Sequence, residues 1–323
     1  MFFGFDDNQL AFRDAVRDLL DKQCPPDVVR AAWDGDLDLG VWRALDEMGV
    51  TTALVPEPAG LGLDELSLAL VLEETGRAGL PHPIVDTVLV AAPLLATHDD
   101  VSDAPSPGLV VTNLGGPNVI CAADADRFLL KAADGLHLVE PDGVSLAPLD
   151  TVDGARRAAR IEWQPVAATL LTDDPAEVAS AFDRGAFGTA AQLVGLAQRM
   201  LDLTVGYVSQ REQFGQPVGA FQAVKHHLAN ALKELAFARP AVYRAAHSLA
   251  DGADSRPRDV SMAKAMASDA ARYVGRQALQ CHGAIGYTVE ADLHLYLKRT
   301  WALAGAWGDA AWHRDRVGRA LGI

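Results

Sequence analysis

Cysteine, long hydrophobic runs and clusters of basic residues are all scarce in this sequence. Only three of its 323 residues are cysteines, and Cys24, Cys121 and Cys281 are too scattered for a disulfide framework or a zinc site. We therefore expect free, buried thiols and no bound metal.

The longest apolar stretches are interrupted by Asp, Glu, Arg or Pro well before the roughly 20 residues that cross a bilayer. The opening segment MFFGFDDNQL also lacks the basic region of a secretion signal. We expect a cytoplasmic protein that does not bind membranes. Its 28 basic and 43 acidic residues give a net charge of −15, and without a Lys/Arg cluster we expect no nucleic-acid partner.

The composition that remains is typical of a globular protein. Half of the residues are hydrophobic, and the 22% that are charged are spread along the chain. This excludes disorder, collagen-like repeats and simple coiled coils. The length accommodates one large domain or two.

Helical periodicity dominates the first hundred residues. Asp6 and Asp7 are N-cap candidates for a first helix that ends at Cys-Pro-Pro, residues 24–26. Further helices are predicted over residues 41–50, 64–79 and 84–97.

The character of the sequence changes at a cluster of Asp, Ser, Pro and Gly over residues 99–108, which predicts a linker. Short β-branched or alternating runs follow and predict a small antiparallel sheet. Long helical patterns return from residue 174. The sequence thus predicts an α+β fold, mostly α, with a helical domain at 1–100, a middle β domain at 101–172 and a helical bundle at 173–323.

Two ordered motifs in the last third are more specific. The first is REQFGQPVGAFQAVKHHLANA (211–231), and the second is QALQCHGAIGYTVEADLHLYLKR (277–299) with the pattern Gln-x-x-Gly-x-x-Gly-Tyr. Both motifs, in this order, resemble the acyl-CoA dehydrogenase family. The series VWRALDEMGV…VPEPAGLGL…LALVLEETGR extends the resemblance to the family's N-terminal helical domain, so it covers most of the chain.

The resemblance implies binding of FAD. Arg211 can pair with a pyrophosphate, and Phe214 offers an apolar face to an adenine or a flavin. Taken alone, such an Arg is usually a surface residue and such a Phe usually belongs to the core. Gly283 fits an ordinary helix C-terminus as well as a close approach to a dinucleotide. The residues matched to cofactor contacts are Arg211, Gln213, Phe214, Val218, Phe221, Gln280, Gly283 and Ala284.

The family's catalytic base, a glutamate that removes the α-proton of the acyl thioester, has no counterpart here. The two positions that the resemblance allows for it are Gly185 and Gly308. Asp309 is a shorter, displaced candidate whose simpler role is to cap the last helix. Asp183 is a further candidate in a chain that works alone. The middle domain resembles only the later part of the family's β domain, so we expect it to be truncated.

These losses have a pattern. The missing features belong to a subunit's own flavin and substrate site, whereas the retained motifs match contacts that one family subunit donates to its neighbour. The chain resembles the short, non-catalytic subunit of the α2β2 acyl-CoA dehydrogenases of bacterial steroid side-chain degradation. This implies a longer catalytic partner, FAD shared with it, an acyl-CoA substrate on the partner side and electron-transfer flavoprotein as acceptor. A self-sufficient homo-oligomer using Asp309 or Asp183, and a scaffold without FAD, are the alternatives.

Overall fold

A computed structural model describes residues 4–98 and 108–323 of the chain. Its α-helices are α1 (Asp7–Gln23), α2 (Pro26–Trp33), α3 (Leu39–Glu47), α4 (Glu65–Ala78), α5 (Ala92–His98), α6 (Pro175–Gln210), α7 (Gln222–Ala250), α8 (Arg256–His282), α9 (Leu293–Gly305) and α10 (Ala310–Leu321). Its strands are β1 (Val110–Thr112), β2 (Asn118–Val119), β3 (Arg127–Ala132), β4 (Gly135–Val139), β5 (Val144–Pro148), β6 (Ala159–Trp163), β7 (Leu170–Thr172), β8 (Glu212–Gln213) and β9 (Gln216–Pro217). The predicted fold class, helical at both ends with a small sheet region between, is confirmed.

The first helix begins where the acidic cap candidates predict. The Asp6 carboxylate accepts a hydrogen bond from the Gln9 amide at 2.8 Å, and the Gln9 side chain accepts one from the Asp6 amide at 3.0 Å. This reciprocal pair is a capping box, which satisfies amides that would otherwise lack partners at the helix start. The predicted end at residues 24–26 is also correct.

Two features of the N-terminal third differ from the sequence predictions. The Pro-Pro pair ends α1 but also begins α2, because proline at the first helical positions needs no amide hydrogen bond. The predicted helix at 84–97 opens as a π-helix, Val85–Ala91, and becomes α-helical only at Ala92. Single π-turns of this kind occur often at functional sites.

The middle region contains two sheets and not the single antiparallel sheet that we predicted. One sheet has the order β1-β3-β4-β7, in which β1 and β3 are parallel, and the other has the order β2-β6-β5. Thr87 fixes β1 to the π-helix, since its hydroxyl donates to the Val110 carbonyl at 2.8 Å. The linker predicted at 99–108 lies outside the described residues except for Gly108.

The C-terminal bundle is built on α6, which has 36 residues and passes through the centre of the molecule. Helices α4 and α6 cross at two glycines, Gly76 and Gly195. A Cβ at either would lie less than 3.0 Å from the other helix's backbone, so the crossing requires glycine. No helix within residues 4–98 and 108–323 is long and apolar enough to span a bilayer.

Candidate functional site

The first of the two sequence motifs, at residues 211–231, begins with a hairpin that follows α6. Arg211 caps α6, and β8 and β9 pair across a two-residue turn at Phe214 and Gly215. Both turn residues have positive φ, +54° and +80°, which is the geometry of the tight turns that join antiparallel strands. The Phe214 side chain is 91% exposed and touches Phe221 edge to face, with ring centroids 6.2 Å apart. The interpretation of Phe214 as a core residue is therefore wrong.

The second motif forms the end of α8 and the turn after it. Gly283 has φ +63° and ψ −140°, a conformation that requires glycine, and a Cβ built there would meet no atom within 4 Å. A Cβ at Gly286 would instead lie 2.9 Å from the His282 Cβ. Gly283 thus leaves the backbone uncovered by any side chain at this point, whereas the absence of a side chain at Gly286 lets the turn pack against α8.

These two motifs form opposite walls of one groove of about 570 Å³. Six of the eight residues predicted to bind cofactor line it. The other two, Phe214 and Phe221, pack against each other at the side of the groove. Residues 211 and 283 are 72 positions apart in sequence, so the fold itself brings the motifs together. The six are Arg211, Gln213, Val218, Gln280, Gly283 and Ala284.

Sequence reasoning missed the aromatic part of this groove. The Tyr207 ring stacks on the buried His282 ring, with centroids 4.6 Å apart and an interplanar angle of 11°. His227, also in the groove, lies with Nδ1 2.5 Å from Oε1 of Gln277. A signal was present, because Tyr207 precedes Arg211 by one helical turn and so shares its face. Cys281, predicted to be buried, is only half-buried and lines the groove.

Arg211 is the one permanently charged side chain among the residues that line the groove. Its guanidinium is exposed and makes no hydrogen bond or ion pair with any described residue. Burial lowers the pKa of His282, so this ring is neutral at pH 7. The groove therefore presents one free cation, a stacked aromatic pair and a bare backbone turn, which are the features that bind an anionic, flat ligand.

The first of the two base positions is filled by an aromatic side chain. A Cβ built on Gly185 would lie within 2.5 Å of three ring carbons of Trp307. A Cβ on Gly115 would approach the same indole at 2.5 to 2.7 Å, and the Trp307 amide donates to the Gly115 carbonyl at 2.7 Å. The buried Trp307 ring thus lies between two glycines and leaves no space for a side chain at residue 185.

The second base position is equally closed. Gly308 has φ +85°, and a Cβ there would lie 2.8 Å from the Trp312 ring and 2.9 Å from Nε2 of His313. Lys264, fully buried beneath this loop, donates to the Gly308 carbonyl at 2.9 Å. Residue 308 is thus held by its surroundings in a conformation that favours glycine.

Neither aspartate candidate is arranged as a base. Asp309 caps α10, where its carboxylate accepts from the Trp312 amide at 2.8 Å, and this hydrogen bond lowers its pKa. Asp183 is fully buried and pairs with Arg316 at 2.6 Å and with Arg256 at 3.3 Å. Both carboxylates are committed to structural contacts.

Comparison with known proteins places the chain in a family. Residues 6–98 match the model of the acyl-CoA dehydrogenase N-terminal domain, and residues 176–322 match that of the C-terminal domain. The acyl-CoA dehydrogenase IpdE2 of Mycolicibacterium smegmatis is 36% identical over 296 residues, which cover 89% of this chain and 90% of that protein. The chain therefore belongs to the acyl-CoA dehydrogenase family, whose members are oxidoreductases.

Solved structures agree on the fold. The "Tcur3481-Tcur3483 steroid ACAD G363A variant" superposes with a TM-score of 0.87 at 25% identity and covers 98% of each chain. The ChsE4-ChsE5 complex from Mycobacterium tuberculosis gives 0.88 at 23% identity, with 100% of this chain and 99% of that chain covered. Over its described residues, the chain thus has the acyl-CoA dehydrogenase fold.

Proposed function

We propose that this chain is the non-catalytic subunit of a heteromeric acyl-CoA dehydrogenase and that its Arg211 groove completes the FAD site of a longer, catalytic partner. The observation that carries this proposal is the Trp307 ring packed against Gly185. No base can stand at residue 185 while the indole fills that space, and Trp312 and His313 leave no room for one at residue 308. The partner would carry the glutamate and bind the acyl-CoA.

The groove fits the pyrophosphate and adenine part of FAD. Arg211 would form a charge-assisted, bidentate contact with the pyrophosphate, which no described residue competes for. The bare turn at Gly283 would let the cofactor approach the backbone, and Gln213 and Gln280 would donate hydrogen bonds from their amides. FAD, when bound, supplies the hydride acceptor for the oxidation of the acyl-CoA. The exposed Phe214 would extend toward the partner across the shared site.

Two similar structures support the choice of partner and substrate class. One is a complex of two different chains by its name, and the other is described as a steroid enzyme. We propose an α2β2 assembly that acts on a bulky acyl-CoA such as a steroid side-chain thioester. Electron-transfer flavoprotein remains the acceptor that the family resemblance implies, and the cytoplasm the compartment.

The self-sufficient alternative needs a base, and the contacts of Asp309 and Asp183 argue against both candidates. The scaffold alternative, in which the fold is kept without FAD, predicts a groove that binds no cofactor. The heteromer proposal and the scaffold alternative differ in where FAD is found: at the shared site in the first and nowhere in the second. We expect the chain purified alone to be substoichiometric in FAD and inactive toward acyl-CoAs, and co-expression with its partner to restore both.

Replacement of Arg211 tests the donated site directly. Truncating one partner of a buried charge pair typically costs about 2–5 kcal/mol, so Arg211→Ala should weaken FAD retention by tens-fold or more. Arg211→Lys should recover part of the affinity, because lysine keeps the charge but loses the bidentate geometry. Release of FAD from the purified heteromer is followed by flavin fluorescence, and subunit stoichiometry by sizing.

Arg272→Ala is the matched control, since Arg272 is an exposed arginine of α8 that does not line the groove. It should leave FAD release unchanged. Unchanged release in Arg211→Ala would refute the donated site, and full flavin occupancy with turnover in the isolated chain would refute the division of labour. Dissociation of the subunits before FAD is lost would favour the scaffold.

A further inference from the structure

A second cavity, of about 200 Å³, lies apart from the Arg211 groove and shares none of its lining residues. Its polar walls include Asp86, Thr112, Asn118 and Arg156. Trp307 closes one side with the indole that also packs against Gly185. The cavity therefore combines an apolar surface with a carboxyl and a guanidinium group that the proposed FAD role does not use.

The carboxyl group of Asp86 is nearly unpartnered although its residue is only 5% exposed. Asp86 lies on the π-helix Val85–Ala91, and its Oδ2 accepts one long hydrogen bond, 3.2 Å, from the Thr112 amide. It forms no ion pair with any described residue. Burial raises the pKa of Asp86 to about 7, against the lowering effects of that hydrogen bond and of Arg156.

Arg156 has a guanidinium group without a partner in the part of the chain that the structure describes. Its backbone is fixed, since its carbonyl accepts from the Cys121 amide at 2.9 Å. The carboxylate of the nearby Asp153 forms an ion pair with Arg299 and not with Arg156. Neither neighbouring carboxylate pairs with this half-buried guanidinium, which lines the cavity and is available to an anionic ligand.

We propose that this cavity binds a small monocarboxylate, held between the Arg156 guanidinium and the carboxyl group of Asp86. Asp86 would take part as the neutral acid. The anion would neutralise Arg156, and the Asp86 hydroxyl would donate a hydrogen bond to the same carboxylate. A ligand without charge would leave the guanidinium unpaired. Ionised Asp86 would instead repel the ligand, so binding takes up a proton wherever Asp86 is ionised.

The cavity has room for a ligand of a few carbons. A cavity of about 150 Å³ holds benzene, which has six heavy atoms. Butyrate also has six heavy atoms, and its alkyl end would pack against Trp307 and Ala302. Butyramide has the same shape without the charge, which makes the two compounds a matched pair of probes.

Ligand-observed NMR titration of the full chain without FAD tests the site. We expect butyrate to bind and butyramide to bind at least tenfold more weakly. Arg156 and Cys121 are the charged and titratable side chains that face Asp86. Burial raises the pKa of the Cys121 thiol to about 12, so of these side chains only Asp86 titrates between pH 6 and pH 8. Lys264, whose pKa burial lowers to about 7, contacts the Ala304 and Gly308 carbonyls and not Asp86, and the Asp86→Asn variant separates its titration from that of Asp86. Butyrate affinity should therefore fall about tenfold from pH 6 to pH 8.

Three variants assign the contacts. Arg156→Gln should reduce butyrate affinity at least tenfold, because a charge-assisted hydrogen bond is lost. Asp86→Asn keeps an acceptor for the Thr112 amide and a donor for the ligand, so it should bind butyrate with no pH dependence between 6 and 8. Arg157→Gln is the matched control and should bind like the wild type, since Arg157 is paired with Asp124 and does not line the cavity.

The proposal is overturned if butyrate does not bind, if butyramide binds as well, or if Arg156→Gln leaves affinity unchanged. Retention of the pH dependence in Asp86→Asn would show that Asp86 is not the group whose protonation controls butyrate binding. If Arg156→Gln fails to fold, the comparison of the two probes in the wild type still decides the question. The measurements need neither FAD nor the partner subunit, so their failure is distinct from failure of the proposed function.

Discussion

At the residue scale, the two positions that the family resemblance allows for a base have no space for a side chain. The Trp307 indole lies against Gly185 and Gly115, and only hydrogen atoms at these two positions leave it room. Protein cores are packed as densely as organic crystals, so one added methyl group is felt. Glycine at residue 185 is therefore a packing requirement as well as the loss of a carboxylate.

Gly185→Ala should destabilise the fold by about 1–3 kcal/mol through overpacking against Trp307. Gly206→Ala, in the same helix, should be neutral or stabilising by up to about 1 kcal/mol, since a Cβ there meets no atom within 4 Å. Urea denaturation followed by circular dichroism gives both free energies of unfolding. Equal effects of the two substitutions would contradict the proposed contact.

Asp309→Ala should lower the free energy of unfolding by about 0.5–2 kcal/mol, because the cap of α10 is lost. The kcat of the assembled heteromer should stay within a few-fold of the wild type. Removal of a general base costs on the order of 10²–10⁴ in rate. Asp309→Asn keeps a capping oxygen and serves as the stability control. A rate loss of that size in an intact heteromer would indicate that Asp309 is the general base and that the reaction takes place in this chain.

At the element scale, local patterns predicted the helices better than the sheets. The N-cap of α1 and the long helical pattern of α6 depend on nearby residues, and both appear where predicted. The sequence prediction omits α2, because a proline pair is typical of a helix end as well as of a helix start. The two sheets could not be separated from sequence, because pairing such as β1 with β3 depends on contacts between distant segments.

The hairpin β8–β9 packs on little of its own chain, and its turn residue Phe214 gives a testable prediction. Phe214→Ala should change the free energy of unfolding of the isolated chain by less than about 0.5 kcal/mol, because the side chain is 91% exposed. In the heteromer it should weaken FAD retention or subunit association. Phe237→Ala, at an exposed position of α7 outside the groove, is the control. Loss of stability in the isolated chain would argue against an interfacial role for Phe214.

At the scale of the whole molecule, the sequence predicted the Arg211 groove but not the closure of the base positions. The groove residues fall in two compact motifs, so the resemblance could find them. Trp307, Gly185 and Gly115 are far apart in the chain, and nothing in their order indicates contact. The absence of a glutamate was visible from sequence, whereas what fills its place required the fold.

The buried Lys264 should make global stability depend on pH. Burial lowers its pKa to about 7 in the folded state, against a smaller opposite effect of Asp309. The unfolded chain, with a lysine pKa near 10.4, then binds more protons above pH 7, so stability from this residue rises with pH. The wild type should gain about 2 kcal/mol relative to Lys264→Met between pH 7 and pH 9. If the free energies of unfolding of the wild type and Lys264→Met differ by a constant amount from pH 7 to pH 9, the predicted rise in stability with pH is contradicted.

The indole between Gly115 and Gly185 also has a consequence for the history of the chain. A mutation that introduces glutamate at residue 185 places its Cβ inside an occupied volume, so a first step toward an independent enzyme would be harmful before it is useful. Removal of Trp307 alone opens a cavity and is harmful as well. A base at residue 185 therefore needs at least two simultaneous changes, and under the proposed function this would make dependence on another subunit difficult for selection to undo.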